Sequence, residues 1–247
     1  MPQPWLPTSR GALTVHTVSS TELNVRLAQD IAQRLAAAIA ARGFAVLSVS
    51  GGKSPIALFE ALRVIDIDWS QVRVTLVDER CVPCTHADSN AGLVHTHLLQ
   101  NLAAKAQLVP MVDATSEPLA SPSVYAQQAD AALRAAGTTD VLVLGMGTDG
   151  HTASLFPDAP NLTEALALNT TQACVAITLS QPPANAPYPR ITQTLAQLLT
   201  ARHIVLPLSD ADKLQTLARA WPHATPTLPI SMVLHQTATP VALWIAA

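Results

Sequence analysis

Residues 44–55 read Phe-Ala-Val-Leu-Ser-Val-Ser-Gly-Gly-Lys-Ser-Pro. The first six are short, β-branched and largely apolar on both faces of a period-two repeat, the pattern of a strand covered on each side. Ser50-Gly51-Gly52 turns the chain, and Pro55 suits the first turn of a helix. A strand running through a glycine turn into a helix is the front half of a β–α–β unit, and such units build parallel sheets with right-handed crossovers. Upstream, Leu27, Ile31, Leu35 and Ile39 recur every four residues and predict a helix over 21–42, with Ser20 or Thr21 at its start and Gly43 at its C′ position. Downstream, residues 72–77 (VRVTLV), 141–144 (VLVL), 174–179 (CVAITL) and 203–208 (HIVLPL) repeat the strand pattern, and 241–245 is expected to be an edge strand. Helices are expected over 55–62, 90–99, 123–136, 192–200 and 211–220, with surface loops at 116–123 and 181–189. The fold class is therefore α/β: one Rossmann-like domain over 1–247, a mostly parallel sheet with helices on both faces.

Composition fits this reading. Of 247 residues, 49% are hydrophobic and 13% charged, enough to fill a large core and too apolar for global disorder. Fourteen basic against 17 acidic residues give a net charge of −3, which leaves no electrostatic footprint for nucleic acid. Apolar runs such as 35–41 and 241–247 fall far short of the ~20 residues a membrane-spanning helix needs. The opening Met-Pro-Gln-Pro-Trp-Leu-Pro has no signal-peptide pattern, so the expected location is cytoplasmic. Three cysteines make no closed disulfide framework.

Ligands of open α/β sheets bind beyond the carboxyl ends of the strands, and three of those ends are unusual here. The first is Ser50-Gly51-Gly52-Lys53-Ser54-Pro55, whose glycines let backbone N–H groups approach an anion. Leu47 occupies the place where a nucleotide-binding P-loop needs its first glycine, so a phosphate cradle and a plain glycine turn remain the two readings. The second is Asp78-Glu79-Arg80 at the end of VRVTLV, either a self-satisfied ion cluster or working groups, followed by Asp88-Ser89-Asn90 as a helix cap. Cys81-Val82-Pro83-Cys84 follows directly, with His86, His95 and His97 beyond it. Structural zinc normally needs a second cysteine pair, and none is present, so two ordinary loop thiols are the favoured reading. The third is Gly145-Met146-Gly147-Thr148-Asp149-Gly150-His151. It contains G-x-G-x-x-G, but Pro157 stops any long helix and the acids at 158 and 164 come too early for a dinucleotide site. It reads instead as a loop holding Asp149 beside His151, a carboxylate that fixes the tautomer of a base. His16, His203, His223 and His235 lack such a setting.

Taken together and in order, SGGKSP (50–55), VDER (77–80), Ser89-Asn90, GMGTDGHTASLFP (145–157), Arg190-Ile191-Thr192 and Asp212-Lys213 resemble the 6-phosphogluconolactonases, a branch of a larger group that includes the glucosamine-6-phosphate deaminases. The resemblance covers residues 13–220, and the 145–157 stretch is its most specific part. Deaminases look like D-E-Y at the second loop and DGHIAFNEP at the third. Arg80 and TASLFP stand in those places and favour the lactonase branch. The resemblance implies hydrolysis of 6-phospho-D-glucono-1,5-lactone. His151 would be the general base and Asp149 its orienting carboxylate. Ser50, Gly51, Gly52, Arg190 and Lys213 would cradle the phosphate. Arg80 would meet sugar hydroxyls or the developing oxyanion, and Asp78, the base in deaminases, would hold Arg80 or the sugar. Lys53 departs from the small or hydroxyl residue of many relatives. No metal or organic cofactor is implied. The implied partner is a phosphosugar lactone, with no nucleic acid or membrane, in a monomer or small homo-oligomer.

Overall fold

The computed structural model describes residues 6–113, 120–181 and 187–246. The loops expected over 116–123 and 181–189 therefore lie in part outside the described residues, as do residues 1–5 and 247. In chain order the elements are β1 (Leu13–Val18), α1 (Leu23–Arg42), β2 (Ala45–Val49), α2 (Ile56–Leu62), β3 (Val72–Leu76), β4 (Asp78–Arg80), α3 (Asn90–His97), β5 (Gln107–Leu108) and α4 (Pro122–Ala136). Then come β6 (Val141–Val143), α5 (Leu162–Ala165), β7 (Cys174–Ile177), β8 (Arg190–Gln193), α6 (Leu195–Leu198), β9 (Ile204–Leu208), α7 (Ala211–Ala220), α8 (Ile230–His235) and β10 (Val241–Ala246).

Seven strands form the main sheet in the order β1-β10-β9-β6-β2-β3-β5, and every neighbouring pair is parallel. Period-two alternation divides its side chains between two apolar layers. Ala45, Leu47, Val49, Val141, Val143, Val205, Ala242 and Trp244 face one layer with α1, α2, α3 and α4. Leu142, Leu144, Ile204, Leu206, Leu208, Leu243 and Ile245 face the other, with α6, α7 and α8. In α1, Leu27, Ile31 and Leu35 are fully buried, each contributing ~1.5–3 kcal/mol. Gly43, at φ 81°, closes that helix by donating its N–H to the Ile39 carbonyl.

Several expectations are corrected. Strand β10 is not an edge; it lies between β1 and β9, and β1 is the edge. Residues 174–177 do not join the parallel sheet but pair antiparallel with β8, which pairs in turn with β4. The helix expected over 192–200 is strand β8 followed by the short α6, because the Gln193 N–H donates to the Val77 carbonyl and the Gln193 side chain bonds Ser48 and the Leu76 carbonyl. Asp78–Arg80 do not extend β3; the chain leaves the main sheet at Val77 and starts the small one. Helix α1 begins behind Glu22 without a side-chain cap, so neither Ser20 nor Thr21 caps it.

Candidate active site

The order in which strands are added to the sheet reverses between β2 and β6, which are parallel neighbours. From β2 the chain crosses to β3 on one side, whereas β6 leads toward β9 on the other. The loops after these strands diverge, and at such a switch point a crevice opens beyond the strand ends. A cavity of about 330 Å³ lies there, walled on one side by the small β4-β8-β7 sheet. Ser50, Gly51, Gly52, Asp78, Arg80, His151, Arg190 and Lys213 all line it. Asp149 does not line the cavity and stands behind His151. Lys53 is exposed and lies outside the lining.

The loop after β6 is folded around its histidine. The Gly147 N–H donates to the His151 carbonyl at 2.9 Å, and Gly150, at φ 86°, donates to the Gly147 carbonyl at 3.0 Å. His151 Nδ1 lies 2.6 Å from Asp149 Oδ1, and the His151 N–H donates to the same oxygen at 3.1 Å. The imidazole tilts against Phe156 at 4.4 Å, and the Arg190 guanidinium lies 5.0 Å from the same ring. Helix α7 braces the loop from outside, with Thr216 Oγ1 and Arg219 Nη2 each donating to the Thr148 carbonyl at 2.9 Å.

The wall opposite is cationic. In the β4–β8 register Arg80 faces Arg190 and Asp78 faces Thr192. Like charges placed directly across a strand pair disfavour folding, so two guanidinium groups side by side at a cavity call for an anion. Burial lowers the Arg190 pKa, the charge of Asp78 opposing this and that of Arg80 adding to it. Each oxygen of the Asp78 carboxylate has a side-chain partner. One accepts from Ser154 Oγ at 2.6 Å and the other from Asn90 Nδ2 at 3.3 Å. Asp78 does not hold Arg80; Asn90 Oδ1 does, at 3.1 Å, together with the Asp88 carbonyl.

At the first loop, Ser50 Oγ donates to the Val143 carbonyl at 3.1 Å and accepts from the Gly145 N–H at 2.9 Å, tying the first and third loops together. The N–H groups of Gly51 and Gly52 are engaged by no backbone carbonyl among the described residues. Lys213 reaches across from α7 to bond Ser54 Oγ at 2.6 Å.

The family model described as glucosamine-6-phosphate isomerases/6-phosphogluconolactonase matches residues 18–244. This chain belongs to that family. A 6-phosphogluconolactonase of Pseudomonas putida is 43% identical over 226 residues, 91% of this chain and 90% of its own length. One of Neisseria meningitidis is 41% identical over 218 residues, 88% of this chain and 91% of its own. The crystal structure of a 6-phosphogluconolactonase from Shewanella baltica superposes with a TM-score of 0.83 at 38% identity, covering 94% of this chain and 97% of that one.

The family motifs map onto the three walls of the cavity, but several supporting residues were not singled out from sequence. Ser154, Thr216 and Arg219 act through contacts distant in the chain, Phe156 packs on His151 five residues before it, and of the four only Ser154 and Phe156 lie within the 145–157 stretch. Burial and the charge of Glu79 push the Cys81 thiol up to about 12 and raise Cys84 as well, so neither is held as a thiolate. Among the described residues no three His, Cys, Asp or Glu side chains gather closely enough to hold a metal ion. No described helix is long and apolar enough to cross a membrane.

One prediction concerns Asp149. Burial raises its carboxyl, but the hydrogen bonds and charge of His151 outweigh burial and hold the pKa below the ordinary value. A carboxylate lowered in the folded state adds stability above its unfolded pKa, ~3.9, and loses it as pH falls through the folded value. Asp149→Asn is therefore expected to lower Tm at neutral pH, with the gap to the parent closing below about pH 4. Thermal melts across this range check it; a gap that stays constant with pH contradicts it.

Proposed function

We propose that this chain hydrolyses 6-phospho-D-glucono-1,5-lactone to 6-phospho-D-gluconate, the second step of the oxidative pentose phosphate pathway, within one lactonase domain spanning 1–247. The observation that carries the proposal is the His151–Asp149 pair facing a cationic wall across one cavity. With Nδ1 tied to Asp149, Nε2 is the ring nitrogen left for the cavity. It takes a proton from water as the water oxygen attacks the lactone carbonyl. The carbonyl oxygen becomes an oxyanion, which the Arg80 guanidinium on the wall is charged to receive. When the bond between the carbonyl carbon and the ring oxygen breaks, the imidazolium returns its proton to that oxygen. The substrate phosphate is held by Lys213, Arg190 and the N–H groups of Gly51 and Gly52, while the Ser50 hydroxyl fixes the loop that presents them.

The engagement of Asp78 by Ser154 and Asn90 supports this reading over a sugar-phosphate deaminase, which needs that carboxylate as a base. Pairing of β1 with β10 at one end of the sheet, joining the two ends of the chain, supports a single domain. Three free cysteines fit a cytoplasmic setting.

The phosphate assignment is tested with two substrates. Arg190→Ala and Lys213→Ala should each reduce kcat/KM for the phosphorylated lactone by roughly 10- to 100-fold, as expected for a lost charge-assisted contact. Unphosphorylated gluconolactone should be almost indifferent to both changes. Equal losses on the two substrates would show that these residues serve the fold or the chemistry rather than the phosphate.

A further inference from the structure

Asn90 joins three of the groups that build the cavity. Its backbone is clamped first. Buried Glu79 accepts the Asn90 N–H at 2.8 Å on one oxygen; on the other it accepts the Ala91 N–H at 2.7 Å and the Ser89 hydroxyl at 3.1 Å. Ser89 in turn caps α3 by accepting the Gly92 N–H at 3.1 Å. With the helix start held in this way, the Asn90 side chain has a set direction into the cavity, where only 2% of the residue remains exposed.

The carboxamide then meets opposite charges at its two ends. Nδ2 donates to the Asp78 carbonyl at 2.8 Å and to the Asp78 carboxylate at 3.3 Å, while Oδ1 accepts from Arg80 Nη1 at 3.1 Å. An amide is donor at one end and acceptor at the other, which is the polarity that an anion and a cation on either side require. The same group presses on the first loop: a Cβ built on Gly51 would fall 1.8 Å from Asn90 Oδ1, so glycine at 51 is what admits it.

We infer that Asn90 is a positioning residue, which sets the Arg80 guanidinium relative to Asp78 and to the glycine loop so that it meets the lactone in register. This rests on the lactonase reading of the cavity. It assigns the specificity of the β4 wall to a residue that makes no covalent or proton-transfer step.

The test is a double-mutant cycle on the full chain, with kcat and KM measured on 6-phosphogluconolactone after subtraction of spontaneous hydrolysis. Asn90→Ala and Arg80→Ala should each lower kcat/KM by roughly 10- to 100-fold, the range for hydrogen bonds to charged groups. If Asn90 acts through Arg80, the double variant loses no more than the larger single loss, within about threefold. Asn90→Asp keeps the volume and the acceptor for Arg80 but turns an acceptor toward Asp78; it should still lose at least about tenfold, which packing alone would not cause. Multiplicative losses in the cycle, or an Asn90→Asp variant of near-parent activity, would overturn the inference. So would failure of both Asn90 variants to fold, which would make the role structural. An Arg80→Ala variant of full activity would instead remove the role of Arg80 in the lactonase site, and the inference would fall with it.

Discussion

Replacing His151 with Gln is expected to lower kcat for the phosphorylated lactone by about 10²–10⁴-fold, the range that general acid–base help supplies. Gln preserves the polarity and most of the volume of the side chain but can neither take a proton from water nor return one to the ring oxygen. The Gly147 N–H bonds the carbonyl of residue 151, not its side chain, so the loop should keep its course. The cationic wall is untouched, and binding of 6-phosphogluconate, measured by calorimetry, should stay within a few-fold of the parent. A folded His151→Gln chain with near-parent turnover would remove the histidine from the mechanism. A loss of product binding as large as the loss of turnover would mean that the loop had collapsed instead.

A second large effect is expected from one methyl group. A Cβ on Gly147 would lie 2.3 Å from the Cε1 and Nδ1 atoms of His151 and 2.6 Å from Asp149 Oδ1. No contact so short survives, and the neighbours have little room to give. Gly147 is itself bonded to the residue 151 carbonyl, Thr148 is held by two donors from α7, and the imidazole is backed by Phe156. Gly147→Ala must therefore displace the imidazole from Asp149. A displacement of about 1 Å in a reacting group can cost ~10²-fold, so kcat should fall by that order with KM little changed. Steady-state kinetics on the purified variant, with its fold checked by circular dichroism, measures this. Unchanged kcat would show that the close packing of the glycine against the histidine has no part in catalysis.

Much of this site was legible because its chemistry sits at strand ends. Glycines, paired acids and a histidine interrupt aliphatic runs at 50–55, 78–80 and 145–151, and parallel sheets put such interruptions on one rim. The small antiparallel sheet was not legible. Ile191, Leu195, Leu198 and Leu199 follow helical spacing, and it takes tertiary bonds to pull residues 190–193 into a strand: the ladders to β4 and β7, and the bonds from Gln193 to Val77, Ser48 and Leu76. The order of the outer strands leaves a trace in their side chains. β10 is buried at five successive positions, as interior strands are, whereas polar His16 and Thr17 interrupt β1, as edge strands allow. Asn90 lay within the triplet expected to cap the helix, but Ser89 does the capping, and what Asn90 touches lies 10 to 12 residues away at β4 and much farther away in the chain at Gly51.

The most direct test follows the lactone itself. 6-Phosphogluconolactone is generated by glucose-6-phosphate dehydrogenase, and its disappearance is recorded by NMR with and without this chain, with glucosamine 6-phosphate offered in a parallel sample. The expected result is saturable hydrolysis to 6-phosphogluconate, proportional to protein and lost in His151→Gln, with no ammonia released from the amino sugar. Lactone decay at the spontaneous rate in the presence of folded parent protein, or ammonia release in the parallel sample, would contradict the assignment.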